Sequence, residues 1–411
     1  MQTKDSATEM RLAMPGREGN RLRNLAVVCP IAFALCFVGY FAFVTLYLAQ
    51  SKIPDQTWPN DISVFWAAAR IAIEGSPIDA FDLEKLEQAR NLPAYMPAAE
   101  RQMAWSYPPH FLALILPLGL MSFNLAWVVF ALVGIGAFWF GLKWLVPGNS
   151  IPIIVCASPA VLMCAFQGQN SLLVAALLAG FLACLRDRRD VPTGVLLAFL
   201  TIKPQFGPLL PLVLIACGAW RVIGWAAAVG LIILALTLAW VGAGYWGAFF
   251  EGLSATADRV EAGWLPRHLM INWYAFAIGA GLPNGWAYGL QIAVTAVLAV
   301  AMIWVWRQPQ APFPVKAAAL TFTIPLASPY VYFYDLVLPM IGVALMLTVL
   351  RPRDYLGAAM LAAVWALPTL GHFGRVFVID QAFALITPPI LTASLFLLLR
   401  EIATARNPAI P

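Results

Sequence analysis

Charge is what this sequence lacks. Asp, Glu, Lys and Arg make up 11% of its 411 residues against about 25% in an average soluble domain, while 62% are hydrophobic. A surface so poor in charge cannot face water all round. Histidine is scarce as well: the three, His110, His268 and His372, lie far apart, and neither an HExxH nor a DxD pattern occurs. That absence counts against a zinc hydrolase and against a nucleotide-sugar enzyme holding its diphosphate through a metal. A Walker A pattern is missing too, so ATP drive is not expected. The six cysteines, at 29, 36, 156, 164, 184 and 217, sit in apolar runs without a CxxC spacing. They read as small buried side chains rather than metal ligands or disulfides.

What the sequence has instead is a series of apolar stretches long enough to cross a hydrocarbon core of ~30 Å. The first, Leu25 to Ala49, follows Arg11, Arg17, Arg21 and Arg23. It exceeds the apolar core of a cleaved signal and reads as an anchor whose start is cytoplasmic. The net charge of +5 is then a topology signal, not a nucleic-acid footprint, because Lys and Arg collect in cytoplasmic loops. With the basic clusters after later runs kept inside, the chain is expected to be an all-α integral membrane protein of about twelve crossings, both termini cytoplasmic. The expected spans are 24–49, 123–146, 150–166, 171–185, 191–203, 205–219, 222–243, 284–306, 314–328, 335–350, 355–370 and 382–400. They form one polytopic domain over 1–411, and the larger share of the 25 Lys and Arg then lies inside.

Two of these spans are short and carry Pro204, Pro208 and Pro211. Broken helices at membrane depth persist only where protein or a polar cavity satisfies the freed backbone, so this region hints at a site. Phe111–Leu120 is too short to span and is expected to lie along the interface.

The first outer loop, 51–122, holds most of the remaining information. Residues 61–75 have helical periodicity, with Asn60 or Asp61 able to cap the start and Gly75-Ser-Pro77 ending it. A second, charged helix is expected from Asp82 to Asn91, followed by Trp105-Ser-Tyr107-Pro108-Pro109. A second outer loop, 242–283, carries Asp258, Glu261, Arg267 and His268. Ser328-Pro-Tyr-Val-Tyr-Phe-Tyr-Asp335 marks a third outer segment.

An Asp soon after the first membrane helix, then Val64-Phe-Trp-Ala-Ala-Ala-Arg70 with Glu74-Gly75 and Pro77, then Tyr107-Pro-Pro109, resembles glycosyltransferase family 87. Gly168-Gln-Asn170, Thr201-Ile-Lys203-Pro204, Ser328-Pro-Tyr330 and Tyr334-Asp335 are similar to further motifs of that family in their order, and the likeness runs from residue 24 to about 400. Ile78, where many members have Tyr, and Tyr334-Asp335, near where actinobacterial members carry a His pair, depart from it. The resemblance implies a GT-C architecture with interfacial helices in the first outer loop, set in a bacterial plasma membrane. It implies an inverting transferase that moves a hexose, mannose above others, from a polyprenyl phosphate to a glycolipid or glycan on the periplasmic face. No cofactor, metal or nucleic acid is called for; the partners are the lipid-linked donor, the acceptor and membrane lipids.

Transfer from a polyprenyl phosphate needs a base for the acceptor hydroxyl and cations for the phosphate. Asp61 reads equally as a helix cap and as that base; the resemblance favours the base. Lys203, a charge inside an apolar run, is functional or paired by default, and is assigned to the donor phosphate against snorkelling to the interface. Arg267 and His268 are placed near the same surface, toward phosphate or sugar. Asp335 is expected to orient the acceptor, to pair with Lys203, or to complement a helix N-terminus, with Tyr334 beside it. Glu74 reads as a second carboxylate of the site or as a helix-end charge, and Tyr107 as acceptor contact or interfacial aromatic. Gln169 and Asn170 are assigned to the cavity wall.

A secondary transporter or lipid-linked-glycan flippase would share the many spans, the proline breaks and the embedded lysine. Against it, hydropathy shows no two-fold repeat, and transport does not require a long structured first outer loop. A structural assembly subunit is the third reading; it predicts no dependence on Asp61 or Lys203.

Overall fold

The computed structural model describes residues 61–92, 101, 103–263, 265–350 and 354–406. The expected anchor at 24–49, the basic residues before it and Asn60 lie outside these.

The segment expected as the first outer loop is described from α1, Asp61–Glu74. Its alanines favour helix, Asp61 sits where the helix dipole favours an anion, and Ser76-Pro77 starts a separate 3-10 turn. Residues Ile62 to Ala69 are all buried. Phe65 makes edge-on contacts with Tyr107 and Phe111 at 5.1 Å and with Phe130 at 5.8 Å, which clamp the helix on an aromatic pad. Next, α2, Leu83–Arg90, is capped by the Asp82 carboxylate and closed by Asn91 in the left-handed region. The segment expected at the interface is α3, Pro109–Gly119, eleven residues, or about 16 Å at 1.5 Å per residue, too short to cross.

The first long helix is α4, Phe123–Leu145. Residues 150–166, expected as one span, fold as α5, Ser150–Cys156, and α6, Pro159–Gln167, bent by 51° between them. Pro159 causes the break: it donates no amide to continue α5 and opens α6 instead. Then come α7, Ser171–Arg186, and α8, Asp190–Phe199. Beyond α8 the chain makes two 3-10 turns, 200–202 and 204–206, before α9, Leu209–Ala216. The longest helix is α10, Trp220–Glu261, which bends at Gly242 (φ 76°). The second outer loop, expected from residue 242, is therefore helical for its first half: the helix runs on through Gly244, Gly247 and Gly252, with Gly244 packed toward Ile78 and Gly252 toward Phe81.

The short α11, Trp273–Gly279, is followed by α12, Asn284–Trp306, and α13, Phe313–Ala327. The last three helices are α14, Val337–Val349, α15, Tyr355–Phe377, and α16, Ala382–Arg406. The core sits at α13 and the first ten residues of α14, which are buried almost throughout. By contrast, Phe140 on α4 is 73% exposed and Trp286 on α12 74%. In a membrane such faces meet lipid, at no hydrophobic cost.

The described chain is helical apart from one isolated bridge, Met270 with Tyr332. Among the described residues, five helices are long and apolar enough to cross a membrane: α4, the α10 region, α12, α15 and α16. The bent α5–α6 pair brings the total to six. The expected spans 171–185, 191–203, 205–219, 314–328 and 335–350 are shorter apolar helices. The four described cysteines are free thiols.

Candidate active site

Three breaks in helical structure converge on one cavity of about 990 Å³. The first break ends α6. Gly168 takes the left-handed conformation (φ 65°), and Gln169 N–H returns to the Cys164 carbonyl, a Schellman closure. Gly168 also lies hard against Ile62 of α1, where a Cβ would overlap that side chain. The glycine thus delivers Gln167 and Gln169 to the first turn of α1, where Asp61 stands.

Asp61 lines the cavity and keeps partial exposure to it. Burial among protein atoms raises its pKa to about 6, against smaller opposing effects from the Gln167 side chain, the Lys203 charge, the Gln169 side chain and the Arg90 charge. Arg90 is buried behind it, donating to Ser63 Oγ at 3.0 Å and to the Arg101 carbonyl at 3.1 Å. The Gln169 carboxamide meets the Tyr107 hydroxyl at 3.3 Å and accepts from Asn170 N–H at 2.9 Å. Burial, then the Asp61 charge, hold the Tyr107 phenol protonated well above its usual range.

The second break is at Lys203. A residue before proline is driven out of the α region, and Lys203 has φ −129°, ψ 80°. The helix must stop there, and the side chain turns inward. Lys203 Nζ donates to Asp335 Oδ1 at 2.8 Å and to Ser171 Oγ at 2.6 Å, with Lys203 and Asp335 only 3% and 2% exposed. Ser171 Oγ donates in turn to the same carboxylate oxygen. Lys203 therefore does not snorkel. The Tyr334 ring lies 5.1 Å from Nζ, a cation–π contact that further compensates the buried charge.

The third break separates α13 from α14. Asp335 Oδ2 accepts from Tyr332 N–H at 3.0 Å, which fixes the turn bearing Tyr332 and Tyr334. Asn272 stitches this turn to the loop between α10 and α11: its Nδ2 donates to the Ser328 and Pro329 carbonyls at 3.0 and 2.6 Å, while its Oδ1 caps α11.

The outer wall comes from the end of α10 and the loop after it. Arg267 Nη1 donates to Asn284 Oδ1 at 3.3 Å. His268 Nδ1 stands 3.7 Å from Asp380 Oδ2, and Asp380 also receives Arg375 Nε at 3.2 Å. Burial pushes the His268 pKa down, with Asp380 opposing and Arg375 assisting, so the ring is neutral at pH 7.

Asp61, Lys203, Arg267, His268, Asp335, Tyr334, Tyr107 and Gln169 thus all line this cavity. Two expected residues do not. Glu74 is 63% exposed and pairs with Arg70 at 2.9 Å, one helical turn away; the last turn of α1 simply points outward. Asn170 is fully buried behind the wall, and neither of its side-chain polar atoms has a partner among the described residues. Sequence reading missed Gln167, Ser171, Arg259 and Asp380. Ser171 and Gln167 adjoin the Gly168-Gln-Asn170 motif, a usable signal; Asp380 carried none. Among the described residues, no group of three His, Cys, Asp or Glu side chains could hold a metal ion.

Compared with known proteins, residues 105–329 match Glycosyltransferase family 87, more than half of the chain. No curated protein matches, and no solved structure does.

Proposed function

The chain belongs to glycosyltransferase family 87, and from that premise we propose that it moves a hexose, mannose first among candidates, from a polyprenyl phosphate to a glycolipid or glycan. Family membership makes it a sugar-transferring enzyme and implies the GT-C architecture. The donor, the acceptor and the side of the membrane belong to the proposal. In it the chain crosses about twelve times with both termini cytoplasmic, and the cavity opens to the periplasmic side.

One observation carries the reading: a carboxylate with its pKa raised to about 6 faces the same cavity as the cations Lys203 and Arg267. At pH 7 Asp61 is still mostly ionised, yet more basic than a solvated aspartate, the balance a general base needs. The carboxylate takes the acceptor O–H proton as the oxygen attacks the anomeric carbon. The carbon–oxygen bond to phosphate breaks on the opposite face, the configuration inverts, and the polyprenyl phosphate departs as an anion. Little acid assistance is required. The cations and His268 stabilise that anion; Lys203, with two of its three N–H donors used by Asp335 and Ser171, has one left for it. Tyr107, Tyr334 and Gln169 offer ring faces and hydrogen bonds to sugar, and Asp335 orients the acceptor side. At about 990 Å³ the cavity lies at the upper end of the roughly 300–1,000 Å³ usual for ligand sites, room for two substrates.

The test is a donor panel. Purified protein is given polyprenyl-phosphate mannose, glucose or galactose with a membrane lipid extract, beside uptake of the same donors into proteoliposomes. Sugar transfer from one donor supports the proposal. Translocation without transfer would replace it with the flippase reading.

A further inference from the structure

We propose that Arg259, at the end of α10, forms with Arg267 the site that binds the phosphate of the lipid-linked donor; this rests on the transferase reading above.

Three carboxylates line the cavity: Asp61, Asp335 and Asp380. Asp335 is neutralised by Lys203 at 2.8 Å, and Asp380 by Arg375 at 3.2 Å. The remaining cavity-lining cations are Arg259 and Arg267. Arg267 bonds only to the neutral Asn284 amide, and the Arg259 guanidinium has neither an ion pair nor a side-chain hydrogen bond among the described residues. Once the pairs cancel, two guanidiniums face a single carboxylate, an excess of one positive charge. A glycosyl phosphodiester carries one negative charge and balances it. On transfer the leaving phosphomonoester gains a second negative charge while the acceptor proton passes to Asp61. Two guanidiniums, each able to grip phosphate through a pair of N–H donors, suit that product.

Local geometry brings the two arginines to one turn. Leu265 N–H returns to the Arg259 carbonyl at 3.4 Å, closing the chain onto the last turn of α10. Gly263 (φ 76°) permits the reversal, and the Arg267 guanidinium lies over it: a Cβ there would stand 3.1 Å from Nη2. Lys203 is deeper and committed to Asp335, so its part in phosphate binding is secondary. The plainer role for Arg259 is a cation complementing a helix C-terminus, which would affect stability and leave substrate binding alone.

Arg259→Gln and Arg259→Lys are compared with wild type for donor KM, acceptor KM, kcat and inhibition by a short-chain polyprenyl phosphate carrying no sugar. The expected result is a donor KM raised at least tenfold by Gln and less by Lys, weaker inhibition in the same order, and unchanged acceptor KM. Unaltered donor KM and inhibition would overturn the proposal, as would a rise in acceptor KM alone, which would assign the pair to an anionic acceptor headgroup. If Arg259→Gln does not fold, the Lys variant decides by the same readouts. Should wild type transfer no sugar from any donor, the transferase reading falls. Direct binding of the polyprenyl phosphate to wild type and variants would still decide the arginine site.

Discussion

At Asp61 two effects compete, and their balance sets what the residue can do. Burial raises its pKa to about 6, while the Gln167 and Gln169 carboxamides and the Lys203 and Arg90 charges hold it from rising further. A base must be deprotonated, so kcat/KM is expected to be half-maximal near pH 6, to approach unit slope as pH drops further, and to level off by about pH 7 to 8. A pH–rate profile on saturating acceptor checks this. The stability sign runs the other way. A carboxyl whose folded pKa exceeds its unfolded value stabilises most below the unfolded pKa and costs stability as pH rises through about 6. Asp61→Asn is therefore expected to unfold no more easily than wild type at pH 7.5. It should be steadier by about 1–3 kcal/mol, the figure from 1.36 kcal/mol per pKa unit discounted for exposure to the cavity. Thermal unfolding in detergent measures it. Asp61 was legible in the sequence because an acid opens an apolar helix. Gln167 was legible only through the Gly168-Gln-Asn170 motif beside it, because a glutamine closing an apolar helix is otherwise unremarkable until Gly168 packs against Ile62.

At the scale of elements, the site is made from helix interruptions. Proline after Lys203, the left-handed Gly168 and the Asp335-held turn each stop a helix where a polar side chain must enter the protein. The Lys203–Asp335 pair links two of those stops, and breaking a buried pair strands one charge. Lys203→Met or Asp335→Asn alone is expected to destabilise by about 3–5 kcal/mol, with the double variant recovering most of that loss. Equilibrium unfolding of the four proteins in detergent distinguishes this from a pair with no structural weight, in which case neither single variant would move. Gly168→Ala should cost about 1–3 kcal/mol from the strained backbone and lower kcat by disturbing the glutamines, read by unfolding and by steady-state kinetics. Proline spacing at 204, 208 and 211 announced the broken region in advance. Sequence could not announce the bend between α5 and α6, where a long apolar run surrounds Pro159, nor the helix beyond Gly242, because Gly242, Gly244, Gly247 and Gly252 read as a loop until packing against Ile78 and Phe81 holds the segment helical.

Over the whole molecule, the apolar pattern foretold an all-helical chain with several helices able to cross a membrane, and residues 105–329 match the family that the motifs resemble. Hydropathy reads length and composition but not burial. Helices such as α13 and α14 are as apolar as spans because they are enclosed by protein, so the sequence alone could not separate enclosed helices from lipid-facing ones. The cavity assembles residues 61 to 384, bringing together the segments that the charge pattern assigns to one side of the membrane, and from that the proposal of an external active site follows. Single cysteines introduced at exposed Glu74 and exposed Arg188 should behave oppositely toward an impermeant thiol reagent in intact cells, the first labelled and the second protected. The reverse pattern would turn the cavity toward the cytoplasm.

The central claim is that a carboxylate in this cavity takes the acceptor proton during sugar transfer from a lipid phosphate. Its most direct measurement is single-turnover transfer by wild type and Asp61→Asn, each first loaded with polyprenyl-phosphate mannose. Wild type is expected to transfer the sugar; the variant should hold the donor with similar affinity and transfer at least 10²-fold more slowly, the lower end of what a general base contributes. Donor affinity preserved together with an undiminished transfer rate in Asp61→Asn would contradict the account.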